Sequence, residues 1–83
     1  MSANDGLPKS QRFRVYGAST LGAAIRHYRK ALGVSQTELA ARTGMPRNYV
    51  CALENGLETE QLKRTLVILR ELGVRMTLDR EDW

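Results

Sequence analysis

The sequence contains few of the residues that make reactive or metal-binding sites. Cys51 is the one cysteine and His27 the one histidine among 83 residues. One cysteine forms no internal disulfide, and these two residues are too few for a zinc site with four protein ligands. The sequence also lacks a cluster of acid and base groups that could carry out catalysis. We therefore predict a protein that is not an enzyme and that needs no cofactor and no metal.

Long apolar segments are missing as well. The longest run of leucine, isoleucine and valine covers residues 66–69, far short of the roughly 20 residues that a membrane-spanning helix needs. The first seven residues lack the basic and apolar regions of a signal peptide. We therefore expect a cytoplasmic protein with no membrane partner. An 83-residue domain hides only about 60% of the surface of its unfolded chain, so oligomerisation is an expected supplement to its stability.

Charge is unevenly distributed along the chain. Residues 1–50 contain eight Lys and Arg against two Asp and Glu, a net of +6, whereas residues 51–83 contain five against seven, a net of −2. A basic segment suits a polyanionic partner, because each phosphate that it neutralises releases condensed counterions. The charge pattern alone is as compatible with an ordinary basic protein as with nucleic-acid binding.

Apolar spacing, together with start and stop residues, predicts four helices in a mainly α protein. The second helix has the strongest start signal, because Ser35 followed by Glu38 has the spacing of a capping box. The predicted boundaries are Ser19 or Thr20 to Leu32, Ser35 to Gly44, Pro46 (as the first helical residue) to Gly56, and Thr59 to Leu72. The fourth helix is expected to bury four leucines, Leu62, Leu66, Leu69 and Leu72.

Two short segments, residues 12–16 and 74–79, alternate in the period-2 pattern of a strand. A lone strand leaves its edge unpaired. We therefore predict that residues 74–79 pair antiparallel with their copy in a second chain. Residues 12–16 either join that sheet or form an N-terminal arm. Residues 1–11 and 80–83 are expected to be tails, and the predicted dimer interface contains Val74, Met76 and Leu78.

Residues 35–56 have the residue pattern of two short helices that cross closely. Ala40 is small enough for a close crossing, and Gly44 suits a turn with positive φ. An apolar wedge then holds the two helices at a fixed angle; it consists of Leu39, Val50 and Leu53. This arrangement leaves Arg47, Asn48 and Ala52 on the outer face of the second helix, whose first turn could reach base edges in a major groove.

This block resembles the helix-turn-helix of the Cro/C1-type (XRE) repressor family. The family pattern SQ-x-E-L-A, Gly, E-N-G is present at residues 35–40, Gly44 and residues 54–56. Residues 62–78 resemble the last helix and C-terminal strand of HipB-like antitoxins, the DNA-binding members of toxin–antitoxin pairs. The resemblance covers about residues 16–79. It implies a lambda-repressor-like domain of four to five helices over residues 12–73, with an intermolecular sheet formed by residues 74–79.

The resemblance also implies roles for individual residues. Gln36 and Thr37 would bind phosphates or an adjacent base, and Arg47 and Asn48 would read bases. Ala52 would face the groove, and Asn55 would hold a phosphate. Arg29 and Glu54 would form a structural pair. The family usually has a hydroxyl residue in place of Pro46, which implies that one phosphate contact is lost. Tyr49 either touches the sugar-phosphate backbone or packs.

The resemblance implies a homodimeric repressor that binds a palindromic operator in double-stranded DNA. Its finer form is a HipB-like antitoxin that represses its own operon and neutralises a HipA-like toxin kinase. The alternatives are a phage-type Cro/C1-like repressor without a toxin, and an interaction domain that has lost DNA binding. Trp83 is either an anchor in the toxin or a side chain that folds back on its own dimer, or it is disordered.

Overall fold

The computed structural model describes residues 12–81, which form four helices and two short strands. Among these residues no fifth helix is present, and no helix is long and apolar enough to cross a membrane. The termini beyond this range, with the predicted tail at residues 1–11 and the predicted contact residue Trp83, lie outside the described residues. In chain order the elements are β1 (Phe13–Val15), α1 (Ala18–Ala31), α2 (Gln36–Thr43), α3 (Arg47–Glu54), α4 (Glu60–Glu71) and β2 (Met76–Leu78).

The capping signals around α2 are confirmed. The Ser35 hydroxyl accepts a hydrogen bond from the Glu38 amide at 3.0 Å, and the Glu38 carboxylate accepts one from the Ser35 amide at 3.3 Å. Gly44 ends the helix with φ 68°, a left-handed conformation that a residue with a Cβ adopts at a cost. The turn between the two helices of the predicted motif is thus fixed by local chemistry at both ends of α2.

Two predicted helix starts were wrong by one to three residues. Gly17, rather than Ser19 or Thr20, precedes the first helical residue of α1. The Thr20 hydroxyl lies inside the first turn and accepts hydrogen bonds from the amides of Tyr16 and Gly17, at 2.8 and 3.1 Å. Pro46 is the N-cap of α3 and not its first residue, because its ψ of 144° is extended.

The burial predicted for α4 was correct for Leu66 and wrong for Leu72, whereas Leu62 and Leu69 are half-buried. Thr59 caps the helix by accepting a hydrogen bond from the Leu62 amide at 3.2 Å, and Leu66 is buried as expected. Leu72, however, is 69% exposed. It is the C-cap residue, and the turn at Gly73 begins directly after it, so it lies beyond the part of the helix that faces the core.

β2 has a partner strand within its own chain. β1 and β2 pair antiparallel, with Phe13 opposite Leu78 and Val15 opposite Met76. The premise that β2 lacks a partner without a second chain was therefore wrong, and the possibility of an N-terminal arm does not hold for residues 13–15. The pair leaves β2 with one edge that no described strand occupies.

An aromatic cluster fastens this sheet to α1. The Phe13 ring lies 4.9 Å from the His27 ring and 5.6 Å from the Tyr28 ring, measured between centroids. The Tyr28 hydroxyl donates a hydrogen bond to the Leu78 carbonyl oxygen at 3.0 Å. Both strands are thus tied to α1.

The core consists mainly of small side chains, and α1 and α3 approach each other closely at Gly22. A Cβ at Gly22 would lie 2.3 Å from the Leu53 carbonyl oxygen and 2.9 Å from that of Glu54. Gly22 therefore permits this contact because it has no side chain. The fully or nearly fully buried hydrophobic residues are Val15, Ala18, Ala24, Val34, Ala40, Val50 and Leu66.

We expect Gly22→Ala to destabilise the fold by about 1–3 kcal/mol, because α1 and α3 must move apart to admit the methyl group. Thermal unfolding followed by circular dichroism measures the effect. Gly17→Ser is the control, since a Cβ there meets no atom within 4 Å and serine is a favourable residue at the N-cap of a helix. Equal stability of Gly22→Ala and the wild type would contradict the close approach.

Candidate nucleic-acid interface

The first turn of α3 belongs to a continuous exposed stretch of the predicted motif, residues 41–49. Arg47, Asn48 and Tyr49 follow one another there, and all three are exposed. No acidic residue lies in this turn. The N-terminus of a helix carries a partial positive charge from its unpaired amides, so this turn favours an anionic partner.

The opposite face of α3 is held rigidly by the core. Val50 and Glu54 are buried one turn apart on α3, and Ala40 is buried on α2 where the two helices meet. The Met45 amide donates a hydrogen bond to the Ala40 carbonyl oxygen at 3.0 Å, which fixes the turn that leads into α3. The exposed turn is therefore presented by a supported helix and not by a free loop.

A buried ion pair links α1 to α3. Two nitrogens of the Arg29 guanidinium donate to the Glu54 carboxylate, Nε to Oε2 at 2.6 Å and Nη2 to Oε1 at 3.0 Å. The remaining nitrogen, Nη1, donates to the Val34 carbonyl oxygen at 2.9 Å. The Glu54 side chain is only 2% exposed and that of Arg29 10%. This pair is the one the sequence analysis assigned as structural, and it locks the angle between α1 and α3.

The pair changes the acidity of both partners. The hydrogen bonds from Arg29 hold the pKa of the Glu54 carboxyl below its ordinary value, although burial acts in the opposite direction. A hydrogen bond from Gln36 lowers the pKa of Glu54 further. The bond to Glu54 likewise raises the pKa of Arg29. The pair is therefore fully ionised at neutral pH.

Gln36 makes a contact that was not predicted from the sequence. Its side-chain nitrogen donates to Glu54 Oε1 at 3.1 Å, and the residue is half-buried. This hydrogen bond connects the start of α2 to the ion pair. The phosphate contact of Gln36 stays a prediction. Thr37, the next residue, is exposed.

The remaining predicted contact residues lie further along α3. Ala52 is half-buried and not fully outward as predicted, because it lies at the side of the helix. Asn55 is exposed at the end of the helix, and its side-chain nitrogen is 3.5 Å from Cys51 Sγ. The Tyr49 side chain is exposed and not packed in the core, with 40% of its surface accessible.

Comparison with known proteins agrees with this geometry. The profile of the HTH_3 helix-turn-helix family matches residues 25–77, which include α2, the Gly44 turn and α3. The chain belongs to the HTH_3 helix-turn-helix family. Two proteins with similar sequences are named as uncharacterized HTH-type transcriptional regulators. One, from Methanothermobacter thermautotrophicus, is 45% identical over 49 residues, or 59% of this chain and 71% of the relative.

The second of these, y4mF from Sinorhizobium fredii, is 33% identical over 60 residues, which is 72% of this chain and 79% of the relative. A further match is the HTH-type transcriptional regulator SinR of Bacillus licheniformis, 29% identical over 65 residues, or 75% of this chain and 59% of SinR. No solved structure matches this helix-turn-helix protein significantly.

Two supporting residues of the helix-turn-helix were missed in the sequence. Gly22 has a signal that could have been used, because a glycine inside a helical pattern often marks close packing. The Gln36 contact with Glu54 has no such signal, since 18 residues separate the two and the contact depends on how α2 lies against α3.

Proposed function

We propose that this protein is a sequence-specific DNA-binding regulator of transcription that acts as a repressor. The observation that carries the proposal is the exposed first turn of α3, held in place by a buried ion pair and free of acidic residues. The relatives named above as transcriptional regulators support it. A helix of this kind fits the major groove of B-DNA, which is about 12 Å wide.

The chemistry of the exposed residues suits base reading. The Arg47 guanidinium can donate two hydrogen bonds to guanine O6 and N7, and the Asn48 amide can pair with adenine N6 and N7. Thr37 near the start of α2, Tyr49 in this turn and Asn55 at the end of α3 are exposed and carry polar groups for phosphate contacts. Gln36 and Ala52 complete the proposed contact surface at its edge.

The regulator is proposed to bind as a homodimer, so that two α3 helices meet successive major grooves about 34 Å apart on a palindromic site. The open edge of β2 supports this, because a second copy can extend the sheet there. Exposed apolar residues also lie on α4 and between α4 and β2. They are Ile68, Leu72 and Val74, each more than half exposed, while Met76 and Leu78 are half-buried.

We expect Val74→Lys to raise the dissociation constant of the dimer at least about tenfold. Because Val74 is 52% exposed, dimerisation can bury about half of this side chain in each of two subunits, which together contribute about 1.5–3 kcal/mol, and 1.4 kcal/mol corresponds to tenfold. Sedimentation equilibrium measures the constant. Leu32→Lys is the matched control, because Leu32 has a similar exposure of 54% but lies at the end of α1. Equal dimerisation of both variants would contradict an interface at Val74.

The finer proposal is a HipB-like antitoxin. It is supported by the resemblance of residues 62–78 to such proteins, and in it Trp83 contacts a HipA-like kinase. Co-expression with a kinase-like protein encoded beside this gene tests it, with a stable complex expected. A Cro/C1-like repressor without a toxin is the outcome if no such complex forms.

Selection of duplexes from a random DNA pool tests the main proposal. The expected result is an enriched inverted repeat with half-site centres 10–10.5 base pairs apart, as two recognition helices require. The same selection with Arg47→Ala should show a relaxed preference at one base pair in each half-site. A pool that shows no enrichment with the dimeric wild-type protein would contradict the proposed function.

A further inference from the structure

A cavity of about 210 Å³ lies where the two strands approach α4, away from the exposed turn of α3. Its apolar part comes from β1, α4 and the segment leading into β2, namely from Val15, Leu66, Leu69, Val74 and Met76. The exposed ring of Tyr16 stands beside them. A space of this size and lining accommodates one large apolar side chain.

Three arginines, Arg14, Arg70 and Arg75, are also among the residues that line this cavity. All three are exposed, and among residues 12–81 none of them forms an ion pair with a carboxylate. Arg14 lies over the Tyr16 ring at 4.9 Å. Three positive charges around an apolar floor favour an occupant that is both acidic and aromatic.

The sequence contains one segment of that composition. Glu81, Asp82 and Trp83 follow β2 after Asp79 and Arg80, and they combine two carboxylates with the one tryptophan of the chain. Within one chain, this segment continues from the end of β2 at Leu78, which pairs with Phe13. Tyr16 and Val74, which line the cavity, lie at the other end of the sheet. Asp79 is held there by an ion pair with Arg12 at 3.2 Å. A segment reaching the cavity from within one chain would have to reverse direction.

A second copy supplies the segment without a reversal. If β2 pairs antiparallel with the partner's β2 around Thr77, Arg75 lies opposite the partner's Asp79, a favourable pairing of opposite charges. Residue 81 of the partner then falls beside Gly73, and the next two residues run towards Arg70 at about 3.3 Å per residue. The direction of the strand thus leads the acidic segment into the cavity.

We propose that in the free dimer the Glu81–Trp83 segment of each subunit docks into the arginine-lined cavity of the other. Trp83 fills the apolar part, and the two carboxylates lie against Arg70 and Arg75. This exchange of C-terminal segments adds two symmetric contacts to the pairing of β2 with the partner's β2. The proposal rests on the dimer described under the proposed function, but it does not depend on DNA binding.

Tryptophan fluorescence tests the docking directly, because Trp83 is the one tryptophan. In the dimer we expect emission at shorter wavelengths than for the unfolded chain, with a shift to longer wavelengths on dilution to monomers. Arg70→Gln/Arg75→Gln should cause the same shift at a concentration where sedimentation shows that the variant itself is dimeric. Arg64→Gln is the matched control, because Arg64 lies on α4 outside this cavity and pairs with Glu60.

A mixing experiment separates exchange between subunits from docking within one chain. Arg70→Gln/Arg75→Gln keeps Trp83 but has an altered cavity, whereas Trp83→Phe keeps the cavity but does not emit. In mixed dimers the remaining tryptophan meets an intact cavity only in the other subunit. Mixing should therefore restore the emission at shorter wavelengths. Circular dichroism confirms that each variant is folded.

The other outcomes overturn the proposal in distinguishable ways. Emission of a solvent-exposed tryptophan in a dimer that binds its DNA site would refute the docking and leave the proposed function intact. An unchanged spectrum in Arg70→Gln/Arg75→Gln would refute the cavity as the docking site, and mixing without recovery would refute the exchange. A protein that sediments only as a monomer would refute both the dimer and the exchange.

Discussion

Arg29→Met is expected to lower the free energy of unfolding by about 3–5 kcal/mol, the largest effect of any single substitution considered for this protein. The Glu54 carboxylate loses both hydrogen bonds from the guanidinium and is left charged in a site where its side chain is 2% exposed. The Val34 carbonyl oxygen loses a donor as well. Urea unfolding followed by circular dichroism measures the change.

The control for this prediction is an ion pair on the surface. Arg42 lies 4.0 Å from Glu38 on α2, and both side chains are more than half exposed. Exposed pairs contribute little, so Arg42→Met should change the unfolding free energy by less than about 1 kcal/mol. Similar losses in Arg29→Met and Arg42→Met would show that the buried pair has no special role.

The same ion pair predicts a dependence of stability on pH. The pKa of Glu54 is lower in the folded protein than its ordinary value of 4.5, mainly because Arg29 donates hydrogen bonds to it. Its contribution is therefore complete above about pH 4.5 and is lost as the pH falls through the lower folded pKa. We expect acid unfolding to begin below pH 4.5, and Glu54→Gln to remove part of that dependence.

Arg47→Ala is expected to weaken binding to the selected DNA site by about 1–3 kcal/mol per half-site, or about fivefold to more than a hundredfold. The exposed guanidinium at the start of α3 is the group proposed to pair with a guanine. Its loss should relax the preference at one base pair in each half-site and leave the others unchanged. Titrations at constant salt measure both effects.

Arg64→Ala is the matched control for Arg47→Ala. It removes the same charge from α4, at a distance from the exposed turn of α3. A small loss that is equal for all DNA sequences is expected, since only a general electrostatic contribution changes. Equal losses of selectivity in both variants would contradict base reading by Arg47.

The parts of the fold that the sequence predicts are those with local causes. The capping box at Ser35 and the left-handed turn at Gly44 are each determined by side chains within a few residues, and both were found. The start of α1 was missed because Gly17 carries no side chain to signal a cap, and the Thr20 hydroxyl works from inside the helix. Helices can therefore be predicted from local side-chain signals, and their boundaries are missed where the N-cap residue has no side chain to signal it.

The parts that failed depend on contacts between distant residues. The pairing of Phe13 with Leu78 joins residues 65 positions apart, and no local pattern distinguishes it from pairing between two copies. The same reason hides the contact of Gln36 with Glu54. The exposed turn at Arg47 was predictable, because its residues follow directly from a helix start with one apolar face.

Methylation interference on the selected DNA site is the most direct test of the claim that the first turn of α3 reads the major groove. Guanine N7 lies in that groove and accepts a hydrogen bond from arginine. We predict that methylation of N7 at one guanine in each half-site blocks the wild-type protein but has little further effect on Arg47→Ala. Interference only from adenine N3, which lies in the minor groove, or equal N7 interference for both proteins, would contradict the account.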